Sequence, residues 1–208
     1  MCGICGIGFE DKLLIKKIKD TLIHRGPDSS GYYIDKDISL GIRRLKIIDL
    51  KTGDQPIYNE TKTIVTVYNG EIYNFKDLRT RLEKSKHKFY TNTDTEIIVH
   101  LYEEYGEDFP KYLDGMFAIA LYDVKKKKLL LVRDRLGIKP LYYWKDEDHF
   151  IFSSELRAIL KSDLVPRTIN KKGLTDYLRY ATVHAPDTIV KGINMLLPGH
   201  CMNVSKDK

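Results

Sequence analysis

"MCGICGIGF", residues 1–9, places a cysteine directly after the initiator methionine and a second one three residues later. The apolar, glycine-laced run over residues 2 to 9 reads as a buried strand. Side chains on a strand alternate between its faces, so Cys2 and Cys5 point to opposite sides and cannot easily close a disulfide. A redox Cys-x-x-Cys would instead open a helix that follows a strand. Zinc fares no better, because Cys2, Cys5, His200 and Cys201 would have to use two adjacent, diverging side chains as their second pair. No metal is therefore expected, and Cys5 and Cys201 read as small core hydrophobes. A third reading makes Cys2 a nucleophile. Loss of Met1 would leave one residue carrying a thiol and a free α-amine of reference pKa about 7.7–8.0, a base suited to neutral pH. That reading depends on partners elsewhere in the chain.

Working outward, Asp11 caps a helix in which Leu14, Ile18 and Leu22 recur at helical spacing, and "HRGPD" (24–28) ends it through Gly26 and Pro27. The runs "SGYYID", "ISLGIRRL" and "KTIVTVYN", separated by turn-rich stretches such as "KTGDQP", predict an antiparallel sheet. A helix follows from an Asn74 cap through Leu78 and Leu82. "TDTE" (93–96) has the form of a capping box, Thr93 with Glu96, leading a helix whose Ile97, Ile98, Leu101 and Tyr105 face inward and which Gly106 closes. Four strands then succeed one another: "MFAIALYDV", "KLLLVRD", "PLYYW" and "HFIFS". Strands, helices and strands again predict an α+β domain of two packed sheets with helices outside. From Ser154 the chain turns helical, in "SELRAILKS" and again over Asn170 to Tyr180. Residues 1–165 are expected to form the core, and 166–208 an extension and linker leading elsewhere.

The bulk properties exclude several classes. At 208 residues the chain suits one large domain with a core that needs no cross-link. Its 42% hydrophobic, 31% charged and 11% aromatic residues describe a soluble globular protein. Three cysteines and no apolar leader suggest a cytoplasmic protein, and runs such as "MFAIALY" are too short to cross a bilayer. The net charge of +6 is spread thinly; its one dense run, Lys125 to Lys128, reads as a hairpin turn, so neither nucleic acid nor a membrane is an expected partner. No glycine-rich phosphate loop ending in Gly-Lys-Ser/Thr occurs, and the glycines of "CGICGIG" fall in the wrong order for a dinucleotide site.

Acyl transfer from a small amide needs a nucleophile, oxyanion donors and charges for the substrate's ends. In "YNGEIYN" (68–74), Asn69 and Gly70 offer an amide NH₂ and an unobstructed backbone N–H, although Asn-Gly is also a hairpin-turn signal. Arg44 can fork onto a carboxylate. Asp94 can accept from an ammonium, or merely complement a helix dipole.

In chain order, "MCG", "HRGPD", "RRLKIID", "QPIYN", "NGEIYN", "TDTE", "GMFAIALYD", "RDRLGIKPLYY" and "SSELRAIL" together resemble the class II glutamine amidotransferase domain of glutamine-hydrolysing asparagine synthetases. "HRGPD" with "NGEIYN" resembles that branch more than the sugar or phosphoribosylamine branches. The resemblance implies an N-terminal nucleophile hydrolase fold, a four-layer αββα sandwich of two antiparallel sheets between helical layers. It implies Cys2 as nucleophile and, through its amine, base, with Asn69 and Gly70 as the oxyanion hole. Arg44 would hold the glutamine α-carboxylate, Leu45, Ile47 and Ile48 would shape the pocket, Glu71 and Asp94 would address the α-amine, and Arg25 would support Cys2. L-Glutamine is the implied substrate, and the released ammonia would serve asparagine synthesis in a C-terminal synthetase domain. No cofactor is expected in this chain, since the Ser-Gly-Gly-x-Asp-Ser loop for ATP is absent; ATP and magnesium belong to that further domain. The chain thus reads as an isolated N-terminal domain or fragment, with self-association left open. A glutaminase serving another acceptor and a non-enzymatic Cys-x-x-Cys module are the alternatives.

Overall fold

The computed structural model describes residues 1–205, so the last three positions of the 166–208 extension lie outside the described residues. In chain order the elements are β1 (Gly3–Ile7), α1 (Lys12–Asp20), β2 (Ser29–Asp35), β3 (Ile38–Arg44), β4 (Ile57–Tyr58), β5 (Ile64–Ile72), α2 (Phe75–Lys84) and α3 (Glu96–Tyr105). A 3₁₀ stretch (Gly106–Tyr112) precedes β6 (Gly115–Asp123), β7 (Lys128–Arg133), β8 (Tyr142–Lys145), β9 (Phe150–Ser153), α4 (Leu156–Leu160), α5 (Lys171–Tyr180), β10 (Asn194–Met195) and β11 (Cys201–Val204). The strands form a six-stranded sheet, β10-β8-β9-β1-β3-β2, and a five-stranded sheet, β11-β7-β6-β5-β4. Every pairing is antiparallel.

Period-two alternation builds the layers. On β1, Ile4 turns inward to a core shared by both sheets, with Leu40 and Ile42 of β3, Val65 and Val67 of β5, Ala118 and Ala120 of β6, and Phe152 of β9. Cys5 and Ile7 turn outward, onto Ile15 and Ile18 of α1 and Ile159 of α4. On the other sheet Ile64, Tyr68, Phe117, Ile119 and Leu121 turn outward, onto Leu78 and Leu82 of α2 and Ile97 and Leu101 of α3. The order helix, sheet, sheet, helix is the expected αββα sandwich.

The same parity positions the functional residues. Continuing the inner-facing registers 38-40-42 on β3, 65-67 on β5 and 4-6 on β1 brings Arg44, Asn69, Glu71 and Cys2 onto the faces that line the gap between the sheets. The Gly3–Arg43 pairing sets Cys2 beside Arg44, where β1 begins and β3 ends.

Several local expectations need correction. Helix α1 is capped by Asp11, which accepts from Leu13 N (3.0 Å) and Leu14 N (2.8 Å), but it stops at Asp20; residues 21–25 form turns that seat Leu22 in the core. Asn74 precedes α2 without capping it, because its side chain donates to Tyr112 O and accepts from Asp114 N instead. The "TDTE" capping box does not form: α3 begins at Glu96, whose carboxylate accepts from Tyr90 N (2.8 Å) and Thr91 N (2.7 Å). It braces the preceding turn rather than closing on Thr93. Asn69 and Gly70 lie inside β5, paired with Ala118 and Phe117, which removes the hairpin-turn reading. Lys125 to Lys127 do lie in the β6–β7 turn, and Lys128 opens β7 opposite Asp123. Beyond residue 165 the chain runs through α5 and then returns to both sheets, where β10 extends β8 and β11 extends β7. Among the described residues no helix is long and apolar enough to cross a membrane.

Candidate active site

Where the inner faces of the two sheets part, they leave a cleft of about 530 Å³ counting its solvent-open part, lined by Cys2, Arg44, Leu45, Ile47, Ile48, Asn69, Gly70, Glu71 and Asp94. Four separated stretches of sequence thus meet in one place: the chain start, the end of β3 with its following loop, the end of β5, and the turn before α3.

Cys2 is half-buried, and its sulfur receives the Leu45 N–H at 3.4 Å. Burial pushes the thiol above its ordinary range; the Leu45 N–H, the positive N-terminus and the Arg44 guanidinium pull the other way. The thiol is therefore mostly protonated near neutrality and needs a base to react. Cys5 sits on the opposite face of β1, fully buried, its sulfur directed at Gly41 O (3.6 Å), and both cysteines are free thiols. The backbone next to Cys2 is pinned by Arg25, whose Nε donates to Cys2 O (2.9 Å) while Nη1 pairs with Glu155 (3.1 Å). Arg25 thus touches the nucleophile's carbonyl and stays out of the cleft lining.

Across the gap, Asn69 is 1% exposed and its Nδ2 has no hydrogen-bond partner among the described residues. A buried donor left unmade costs about 1–3 kcal/mol. In a cleft that also holds a thiol, that donor is available to a substrate oxygen. Gly70 adds a second. The N–H groups of Tyr68 and Ile72 leave the same edge of β5, to Gln55 Oε1 (2.7 Å) and Asp94 Oδ2 (3.0 Å), and by the two-residue alternation that of Gly70 points out between them. Glycine is required there for packing too, since a Cβ would lie 2.2 Å from Met116 O and 2.8 Å from Phe117 Cα on β6.

Charges flank these donors. Asp94 is buried, and its Oδ2 accepts from the Tyr68 hydroxyl (2.8 Å) as well as from Ile72 N. Burial pushes the Asp94 carboxyl up, against the pull of those two donors, and neighbouring Glu71 pushes it further. A cation arriving between the two carboxylates would relieve both burial and like-charge repulsion. Arg44 differs from the expectation of a free fork. Its Nη1 donates to Asp54 (3.0 Å) and its Nη2 to Ile48 O and Asp49 O (2.8 Å each), leaving two of its five N–H donors for a ligand. It both presents positive charge and folds the 45–55 loop that sets Ile48 and the 67% exposed Ile47 at the rim.

Sequence reading missed other lining residues: Gln55, Tyr68, Thr93, Thr95, Met116 and Lys139. Gln55 brackets Tyr68 by accepting from its N–H and donating to its carbonyl (3.2 Å). Lys139 is carried by a loop tied to Asp134, which accepts from Phe117 N, Leu136 N, Ile138 N and Lys139 N. "QPIYN" and "RDRLGIKPLYY" contain these positions, but nothing in their residue types signals a wall of this cleft. Asp49 was also missed. It accepts from Lys51 N, Thr52 N and Asn92 N, so it buttons the Arg44 loop to the segment that carries Asp94.

Comparison with known proteins agrees with this geometry. The glutamine amidotransferase domain family matches residues 1–208. "Asparagine synthetase [glutamine-hydrolyzing] 3" of Bacillus subtilis is 38% identical over 216 residues, covering 100% of this chain and 35% of that enzyme. "Asparagine synthetase [glutamine-hydrolyzing] 2" of the same organism is 45% identical, over 85% of this chain and 24% of the enzyme. The rice enzyme of that name is 46% identical, over 76% of this chain and 28% of its own length. The chain therefore spans about a quarter to a third of the curated relatives it matches. In three dimensions it resembles the glutamine phosphoribosylpyrophosphate amidotransferase of B. subtilis, with a TM-score of 0.71 at 18% identity, over 99% of this chain and 48% of the other. At that identity the likeness concerns the fold, which is the N-terminal nucleophile hydrolase fold. With a family match along its whole length and that fold, the chain belongs to the class II glutamine amidotransferase domains.

Proposed function

We propose that this chain hydrolyses the side-chain amide of L-glutamine to glutamate and ammonia through a glutamyl thioester on Cys2. One observation carries the reading: the unpartnered, buried Nδ2 of Asn69 lines the same cleft as the Cys2 sulfur, on the facing sheet. The geometry of a thiol opposite an unused donor suits attack on a carbonyl whose oxygen becomes negative.

After removal of Met1, the Cys2 α-amine takes the thiol proton and the sulfur bonds to the amide carbon. The oxyanion is held by Asn69 Nδ2 and the Gly70 N–H. As it collapses, the C–N bond breaks and the ammonium that the amine has become gives its proton to the departing nitrogen, which leaves as ammonia. Water, deprotonated by the same amine, then attacks the thioester, and the C–S bond breaks to give glutamate and the free thiol. Arg44 meets the α-carboxylate, Asp94 and Glu71 meet the α-ammonium, and Leu45, Ile47 and Ile48 shape the walls. Arg25 holds the Cys2 carbonyl so that sulfur and amine keep their orientation.

The ammonia would serve ATP-dependent asparagine synthesis in a C-terminal synthetase half. The names and lengths of the relatives support that partner. The test is glutamate and ammonia release by chain with a processed N-terminus. Cys2→Ala should abolish release, and full activity in that variant would exclude the mechanism.

A further inference from the structure

A second polar cluster lies away from the cleft. Glu60 of the β4–β5 turn, His87 after α2, and His100 and Glu103 on successive turns of α3 bring four ligand atoms within 4.8 Å of one another. None of the four lines the Cys2 cleft.

Both rings present Nδ1 to both carboxylates. His100 Nδ1 stands 3.4 Å from Glu60 and 3.4 Å from Glu103, and His87 Nδ1 stands 3.6 Å from each. A tetrahedral zinc site with bonds of about 2.0–2.2 Å has ligand-to-ligand edges of about 3.3–3.5 Å. Taking one oxygen from each carboxylate, three of the cluster's edges already lie near that length.

Polar groups also stand behind each ligand, hydrogen-bonded to all but His100. His87 Nε2 meets Glu104 at 3.0 Å, and the buried His100 Nε2 faces the Glu96 carboxylate at 3.6 Å, an ion-pair distance beyond hydrogen-bond length. The second oxygen of Glu103 accepts from Asn59 Nδ2 (2.8 Å), and Glu60 accepts from Lys88 N (2.9 Å). Carboxylates behind ligating histidines, and hydrogen bonds behind ligating carboxylates, are the outer shell that metal centres use to fix ring orientation. An ionised Glu104 can only accept, so the proton of a neutral His87 ring sits on Nε2 and its Nδ1 offers a lone pair. His100 Nδ1 lies 3.4 Å from Glu103 Oε2, a contact that a ring proton or a bound cation would fill, and the two carboxylates balance a divalent cation.

We propose that Glu60, His87, His100 and Glu103 bind one zinc-class divalent ion in a closed tetrahedral site. The donor set of two imidazoles and two carboxylates suits zinc, and four protein ligands leave no open position, so the role is structural. His100 is fully buried, whereas Glu60 and Glu103 side chains are 33% and 27% exposed, so an ion enters from their side. Bound there, it clips the β4–β5 turn and the loop after α2 onto α3. Through His100 and Glu96 it also steadies the 90–95 turn that carries Asp94.

The experiment uses the full chain, chelator-stripped, with its thiols alkylated so that Cys2 and Cys201 take no metal. Cobalt(II) is titrated and followed by visible absorption, then displaced with zinc against a chromogenic chelator. One equivalent with tetrahedral ligand-field bands is expected, with a higher Tm for the zinc-loaded chain. Glu60→Gln, Glu103→Gln and His87→Ala, at positions outside the fully buried core and checked for folding by circular dichroism, should remove those bands. Glu104→Gln, which alters only the residue behind His87, should weaken zinc by about 10–100-fold. No uptake by the folded chain, or uptake unchanged in Glu60→Gln and His87→Ala, overturns the proposal. In the first case a Tm that climbs as pH falls would assign the cluster to protonated histidines instead.

Discussion

Asn69→Ala separates catalysis from stability, because among the described residues the group removed forms no hydrogen bond through Nδ2. In the free chain that buried donor carries a penalty of about 1–3 kcal/mol. Deleting it relieves the penalty while opening a small void whose cost has the opposite sign, so folding stability should move by only about 1 kcal/mol. In the transition state the balance differs. An oxyanion donor contributes about 2.7–4 kcal/mol, a loss of roughly a hundred to a thousand fold in turnover. Because the bond forms fully only as the oxygen becomes negative, kcat and kcat/KM should fall together while KM stays put. The assay is steady-state glutamate release over a range of glutamine concentrations, paired with a thermal melt. An unchanged kcat in the folded variant, or a loss of activity that merely tracks a loss of stability, would refute the role given to Asn69.

Other consequences concern the charges and the packing. Asp94→Asn should raise KM for glutamine more than it lowers kcat, since the amide still accepts from Tyr68 and Ile72 but no longer attracts an ammonium; the ratio of the two effects checks it. In the parent chain the buried Asp94 carboxyl is pushed up, and an ammonium needs the ionised form, so glutamine affinity should weaken as pH falls through that raised value; binding measured across the acidic range tests the sign. Glu96 behaves oppositely. Burial opposes ionisation, but the His100, Thr91 and Tyr90 contacts outweigh it and hold the carboxyl below its usual range. Its contribution to stability is therefore present above the unfolded value of about 4.3 and lost as pH falls through the lower folded one. Acid melts of Glu96→Gln should show a smaller loss of stability over that interval than the parent. Gly70→Ala should push β5 from β6 and destabilise the chain by about 1–3 kcal/mol, visible in denaturant melts.

The fold was legible where one rule governs a long stretch. The near-continuous apolar runs "MFAIALYDV" and "KLLLVRD" marked strands, and β6 and β7 alternate their side chains between two cores. The same rule separated Cys2 from Cys5. Local end signals failed where tertiary contacts claimed the capping side chains: Asn74 is drawn to Tyr112 and Asp114, and Glu96 to Tyr90 and Thr91. Every pocket residue assigned from the resemblance lines the cleft, yet sequence alone gave no sign that Arg44 spends three donors on its own loop, or that Gln55 and Tyr68 hold each other at the wall. Those facts depend on pairing between segments far apart in the chain. The Glu60, His87, His100 and Glu103 cluster escaped for the same reason, with only the three-residue spacing of His100 and Glu103 visible locally.

The most direct measurement is peptide mapping after exposure to a glutamine analogue bearing an electrophilic ketone in place of the side-chain amide. One adduct per chain on the Cys2 sulfur, prevented by L-glutamine and accompanied by complete loss of glutamate release, is the expected result. Labelling of the exposed Cys201 in its place, or hydrolysis that continues once Cys2 is modified, would contradict the assignment of the nucleophile.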